Sequence, residues 1–162
     1  MTCGHTHHDH AEPSREAVLT ALEAADARCV QSNQRLTPAR RRVLELLLTS
    51  GQPAKAYDLI AAFGENGAAA KPPTVYRALD FLSSQGFVHR IESLNAFVAC
   101  RTGGEAHAAG FLICTCCGET HEIEPIAAEG VAHAAAAFGY ALSRVVVEAR
   151  GLCGACATQA GP

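Results

Sequence analysis

Lys71-Pro72-Pro73-Thr74-Val75-Tyr76-Arg77-Ala78-Leu79-Asp80-Phe81-Leu82-Ser83-Ser84-Gln85-Gly86 is the stretch that decides the fold. Two prolines suit the opening of a helix, where the backbone N–H is unpaired in any case, and Gly86 suits its end. Between them Val75, Leu79 and Leu82 share one face with Ala78 beside them, so that face needs a core. Thr74, Tyr76, Arg77 and Asp80 lie on the other faces. The polar groups near the start of this helix are therefore free to contact something else.

The neighbouring segments give that helix a context. After it come two strand-like runs, Phe87 to Ile91 and Ala96 to Cys100, joined by Glu92-Ser93-Leu94-Asn95. Before it, a short helix is predicted over about Ala54 to Phe63, stopping at Gly64. An earlier one has Thr37 as N-cap, Pro38 at its first position, the stripe Val43, Leu44, Leu47 and Leu48, and Gly51 at its end. A first helix starts at Ser14 and repeats Val18, Leu22, Ala25 and Cys29 at helical spacing. Helices followed by a hairpin in this order describe a winged helix-turn-helix over residues 14–100. Residues 1–13 read as a flexible His-rich tail.

Residues 101–110 carry Gly103, Gly104, Ala108, Ala109 and Gly110 and read as a hinge. Beyond it, residues 111–162 give strand (Phe111 to Cys114), Cys-rich turn, strand (Thr120 to Ile123), helix (Ile126 to Phe138) and strand (Tyr140 to Arg150). Val145, Val146 and Val147 in succession suggest a strand buried on both faces. So short a segment builds only a thin core, and a metal staple and a partner subunit would both help it. The expected class is α+β: an N-terminal winged helix-turn-helix domain, then a small α/β dimerisation domain.

With 162 residues, nearly half of them apolar, the chain is expected to fold rather than stay disordered. No apolar run approaches the length of a membrane span, and the polar N-terminus does not read as a secretory signal, so a cytoplasmic location is expected. The formal charge is −3, but residues 35–90 hold eight basic and four acidic side chains, against three and six from residue 101 onward. A basic first half suits a nucleic-acid-binding module.

In a reducing compartment, closely spaced cysteines point to metal or redox chemistry rather than to disulfides. Cys114-x-x-Cys117 and Cys153-x-x-Cys156 supply four thiolates, which satisfy tetrahedral zinc and leave no open position. Gly118 and Gly154 permit the tight turns such pairs need. A redox dithiol, or cysteines that simply fill a core, is the alternative. Cys116 reads as a spare thiol. The tail residues Cys3, His5, His7, His8 and His10 would lose much chain freedom on binding an ion, which disfavours a strong site. His121 and His133 are further donors whose spacing requires nothing. His89 lies in the first strand of the hairpin and Cys100 ends the second, so the two can approach. His107 falls in the hinge and Glu122 in a later strand, and spacing alone does not single out these four.

Three motifs together resemble the ferric-uptake-regulator family. They are Arg35-Leu36-Thr37-Pro38-Ala39-Arg40, the run from Ala70 to Leu82 with Gln85-Gly86-Phe87-Val88-His89, and Gly151-Leu152-Cys153-Gly154-Ala155-Cys156. The likeness covers residues 14–156 and is greatest to the zinc uptake regulator branch. It implies a homodimeric repressor, not an enzyme, that binds palindromic double-stranded operator DNA when zinc-loaded and controls zinc uptake genes. It implies two zinc ions per subunit: a structural one on Cys114, Cys117, Cys153 and Cys156, and a regulatory one on His89, Cys100, His107 and Glu122. It places Tyr76 and Arg77 at base-contacting positions; Thr74 is a further candidate DNA contact, and by their charge Lys71 and Arg40 suit the DNA backbone. For the run Arg40-Arg41-Arg42 a solvated helix face is the alternative. No membrane and no small-molecule substrate are implied.

The resemblance also separates zinc from iron. Iron sensors of the family carry a His-His-Asp-His run after the wing, where this chain has Glu105-Ala106-His107-Ala108-Ala109. The similar run His7-His8-Asp9-His10 lies in the tail. A thiolate at Cys100 favours zinc over ferrous iron. A zinc enzyme would keep one coordination position open, and a zinc-buffering protein would have no use for a recognition helix.

Overall fold

A computed structural model describes residues 13–64, 71–100, 109–124, 128–142 and 145–160. These fall in two compact units, one within residues 13–100 and the other within residues 109–160.

The first unit begins with α1, Arg15–Gln31, whose N-cap Ser14 accepts a hydrogen bond from the Ala17 N–H at 3.2 Å. Val18, Leu22, Ala25 and Cys29 form its buried face. In α2, Pro38–Ser50, Thr37 caps the start, Pro38 occupies the first turn and Gly51 ends the helix at φ 59°. That left-handed conformation favours glycine. α3 spans Ala56–Phe63 and α4 spans Pro72–Ser84. The α4 face Val75, Ala78, Leu79 and Leu82 is buried against α1, α2 and α3 residues such as Leu22, Leu47 and Leu59.

The wing follows directly. β1, Val88–Ile91, pairs antiparallel with β2, Ala96–Ala99, through a 3-10 turn at Glu92–Leu94 and Asn95 at φ 47°. Ala54 was expected to open the third helix, but it pairs instead as a single antiparallel bridge with Phe97, exchanging two hydrogen bonds of 2.8 Å. The reason is tertiary: just before the helix the Ala54 backbone N–H and C=O are not yet committed to helical bonds, and Phe97 on the sheet edge satisfies both. The result is a winged helix-turn-helix.

The second unit is a three-stranded sheet of order β4-β3-β5, with β3 at Ala109–Cys114, β4 at Thr120–Ile123 and β5 at Val146–Gly151. β4 returns antiparallel to β3 through the Cys-rich turn, and β5 runs parallel to β3. α5, Ala128–Ala137, lies in the crossover, and α6, Gly154–Ala160, follows β5.

Three expectations are corrected here. Ala109 and Gly110, read as hinge, belong to β3. A Cβ on Gly110 would stand 2.8 Å from the Ile123 side chain, so this glycine serves close strand packing rather than flexibility. The last strand starts at Val146, not Tyr140, and Val146 and Val147 are half-buried rather than buried on both faces, because β5 is an edge strand. The helix α6 was not anticipated, since Gly154 and two cysteines read as a turn. The rest of the expected hinge, with Gly103, Gly104 and His107, and nearly all of the tail lie outside the described residues. No helix among the described residues is long and apolar enough to cross a membrane.

Candidate metal centres and nucleic-acid interface

The first metal centre is assembled by the ends of β3 and β5. Register places Cys114 opposite Gly151, and the Thr115 N–H continues the pairing to the Gly151 carbonyl at 2.7 Å. The turn after Cys114 closes by two bonds: Gly118 N–H to the Cys114 carbonyl at 3.0 Å, and Cys114 N–H to the Glu119 carbonyl at 2.8 Å. Gly118 stands at φ 78°, which turns the chain back and brings Cys117 beside Cys114. On the other side Cys153 precedes α6 and Cys156 lies in its first turn. The 35 intervening residues thus return the second pair through a parallel strand.

The four Sγ atoms of Cys114, Cys117, Cys153 and Cys156 lie within 4.8 Å of one another. Cys117 Sγ and Cys153 Sγ are 3.8 Å apart. Zinc–sulfur bonds of ~2.3 Å in a tetrahedron require sulfurs about 3.8 Å apart, so the donor set fits this ion. Cys114, Cys117, Cys153 and Cys156 are not joined in disulfides, so none competes for these sulfurs. Cys116, expected to be spare, is not one of the four.

The protonation balance favours a cation here. Burial pushes the Cys114 thiol up, but the backbone N–H groups of Cys153, Cys117 and Cys116 and the Cys117 side chain outweigh it and bring it down to about 6. Cys153 N–H donates to Cys114 Sγ at 3.3 Å. At Cys156, burial and the neighbouring side chains of Cys153, Cys116, Cys117 and Cys114 push the thiol upward. Sulfurs this close resist ionising together, and a divalent cation removes that conflict.

The second donor group begins on the wing. In the β1–β2 ladder His89 faces Val98 and the Cys100 N–H bonds the Phe87 carbonyl at 2.9 Å, so His89 and Cys100 are diagonal neighbours on one face. Their ligand atoms lie within 4.8 Å. His89 is 5% exposed, and an imidazole so buried beside a thiol is a recognisable soft-metal donor pair. Glu122 is half-buried in β4, opposite Phe111. His107 is outside the described residues. His121 is exposed and bonded to Glu119 at 2.9 Å, and His133 is exposed on α5; among the described residues neither joins a metal-ligating group.

The solvent side of α4 is the candidate nucleic-acid face. Lys71, Thr74, Tyr76 and Arg77 are all exposed, Tyr76 to 50%. The first turn of α4 has no acidic residue. Pro72 and Pro73 have no N–H and the Thr74 N–H donates to the Lys71 carbonyl at 2.8 Å, so this end offers an anion the positive end of the helix dipole rather than open N–H donors. Arg40 is differently placed. Its guanidinium stacks on Phe81 with Cζ 3.3 Å from the ring centroid, and Nη1 donates to the Arg35 carbonyl at 2.6 Å. Arg42 pairs with Glu45 at 3.0 Å. Part of the basic run therefore binds the fold to itself.

Known proteins give this geometry a family. The model of the ferric uptake regulator family matches residues 31–149. The zinc uptake regulation protein of Escherichia coli (strain K12) is 45% identical over 137 residues, covering 83% of this chain and 80% of that protein. Among solved structures, a zinc uptake regulator complexed with zinc and DNA is 42% identical with a TM-score of 0.82, covering 90% of this chain and 98% of that one. Holo XcZur is 41% identical with a TM-score of 0.79, covering 86% and 98%. The chain belongs to the ferric uptake regulator family.

Proposed function

We propose that this chain is a zinc-responsive transcriptional repressor that binds palindromic operator DNA as a homodimer and controls zinc uptake genes in the cytoplasm. The observation that carries the reading is the His89–Cys100 donor pair on the wing of a winged helix. It puts metal ligands on the same unit that would read DNA, which a structural zinc alone has no need to do. The relatives that are zinc uptake regulators, one of them in complex with zinc and DNA, support it.

In this reading each subunit holds two zinc ions. Cys114, Cys117, Cys153 and Cys156 hold the first and staple the second unit. His89, Cys100, His107 and Glu122 hold the second. Bound there, zinc supplies four-coordinate, redox-inert cross-linking and no open position for catalysis. The chain's own residues do the rest: the ligands draw separated stretches of sequence into one arrangement and shift the population toward the DNA-binding pose.

At the DNA, Arg77 reads a guanine edge and Tyr76 contacts a base or a phosphate. Thr74 and Lys71 fix the helix on the backbone, and Arg40, already stacked on Phe81, adds charge from behind. The second copy fits the exposed apolar groups Val131, Phe138, Tyr140 and Leu142, on and just after α5. These are too many large apolar side chains to leave in water on so small a unit. Two-fold symmetry then implies a palindromic operator with half-sites one helical turn, or a multiple, apart.

The test is a fluorescence-anisotropy titration of labelled operator DNA with the full chain, at one and at two zinc equivalents per subunit. Tight binding only at the second equivalent is expected. Equal affinity at both would reject zinc responsiveness, and no binding at either would reject the DNA-binding reading.

A further inference from the structure

Arg28, in the last turn of α1, meets the end of the recognition helix. Its Nη2 donates to the carbonyl of Gln85, the C-cap of α4, at 3.0 Å. Its Cζ lies 4.3 Å from the centroid of the Phe87 ring. α4 ends in a two-bond turn around Gly86 at φ 71°: Gly86 N–H reaches the Ser83 carbonyl at 3.2 Å, and Phe87 N–H reaches the Leu82 carbonyl at 2.9 Å. The Phe87 carbonyl in turn accepts the Cys100 N–H at 2.9 Å. Phe87 is thus bonded on one side to α4 and on the other to a proposed zinc ligand. Arg28, Gly86, Phe87 and Cys100 line one cavity of about 160 Å³.

We infer that Arg28 is a positioning residue that couples the His89–Cys100 donor pair to the recognition helix. The inference rests on the proposed function, because it needs zinc at that pair and DNA at α4. The glycine at the junction is the reason a clamp is needed. Gly86 is conformationally permissive, so a shift of β1 and β2 on ligand binding could be absorbed there without moving the helix. A guanidinium closes that escape. It lies over the Phe87 ring while its Nη2 holds the Gln85 carbonyl, and its charge suits the negative end of the α4 dipole. Helix end and strand start then move together.

The test measures coupling rather than affinity alone. Operator binding is titrated with and without the second zinc equivalent for the wild type, Arg28→Ala, Arg28→Met and Arg28→Lys. Zinc affinity is measured with a competing chelator, in the presence and absence of operator. In Arg28→Ala and Arg28→Met the zinc-induced gain in operator affinity is expected to fall about tenfold, within the usual range of coupling between sites. Zinc affinity of the DNA-free chain and operator affinity of the singly loaded chain should stay as in the wild type. By reciprocity, the gain in zinc affinity caused by operator must fall by the same factor. Arg28→Lys, with a donor but no planar stack, should fall between.

Arg28→Met keeps the apolar stem, so it decides the question should Arg28→Ala not fold. An unchanged zinc-induced gain in Arg28→Met overturns the inference. So does an equal loss of operator affinity with and without the second zinc, the signature of a packing role. A wild type whose operator binding ignores the second zinc overturns both this inference and the functional reading beneath it.

Discussion

The two units bury apolar surface on different terms. In the first, residues from α1 to β2, including Leu22, Val43, Leu47, Val75, Leu79, Leu82 and Phe87, form one continuous buried cluster. In the second, the buried apolar groups are Ala109, Phe111 and Ile113 on β3 with Cys114 and Cys156 of the metal centre, while α5 and the residues after it leave Val131, Phe138, Tyr140 and Leu142 exposed. One unit is held by a hydrophobic core of its own. The other has a central strand, a group of four thiols and exposed large apolar side chains. That division suits a regulator: the reading head has its own core, and the platform that would pair two heads would draw its stability from metal and partner.

Breaking the platform should have the largest effect. Cys153→Ser, or removal of all zinc, takes away a centre whose ion can supply ~10–16 kcal/mol of apparent folding free energy. Hydrogen exchange should then show amides of β3, β4 and β5 losing protection while those of α2 and α4 keep it. Uniform loss across both units, or none, would contradict the division. A smaller effect is expected in the reading head. Leu47→Ala, at a fully buried position of α2, should destabilise that unit by about 2–5 kcal/mol, measured by denaturant unfolding. The zinc content of the protein should not change. Smaller still, Arg77→Ala should leave both units folded and weaken operator binding by roughly 1–3 kcal/mol, with relaxed preference at one base pair. Undiminished affinity would remove Arg77 from the readout.

The same contrast explains what could be read from sequence. The first unit was legible because its signals are local: Ser14, Thr37-Pro38 and Gly51 mark helix ends, and Val75 to Leu82 mark a buried face. The four cysteines stood out as candidates because each pair has the short Cys-x-x-Cys spacing that suits one ion. Misreadings came where tertiary pairing overrides local character. Ala54 joined the wing through Phe97, and Gly110 looked like a hinge but packs on Ile123. Three successive valines looked doubly buried, yet β5 is an edge. The predicted hairpin already let His89 and Cys100 approach, eleven positions apart in sequence, but that they share a face follows from the strand register. The inward turn of Arg40 depended on Phe81, a partner that charge counting cannot see.

In the proposed function the two donor groups do different jobs: four cysteines for the fold, and the His89–Cys100 group for the response. Operator affinity against free zinc concentration, compared between the wild type and Cys100→Ser, tests it most directly. The wild type should bind two zinc ions per subunit and gain operator affinity with the second. Cys100→Ser should stay folded, bind one, and show a low operator affinity that zinc no longer raises. A Cys100→Ser protein whose operator binding still rises with zinc as the wild type's does would contradict it.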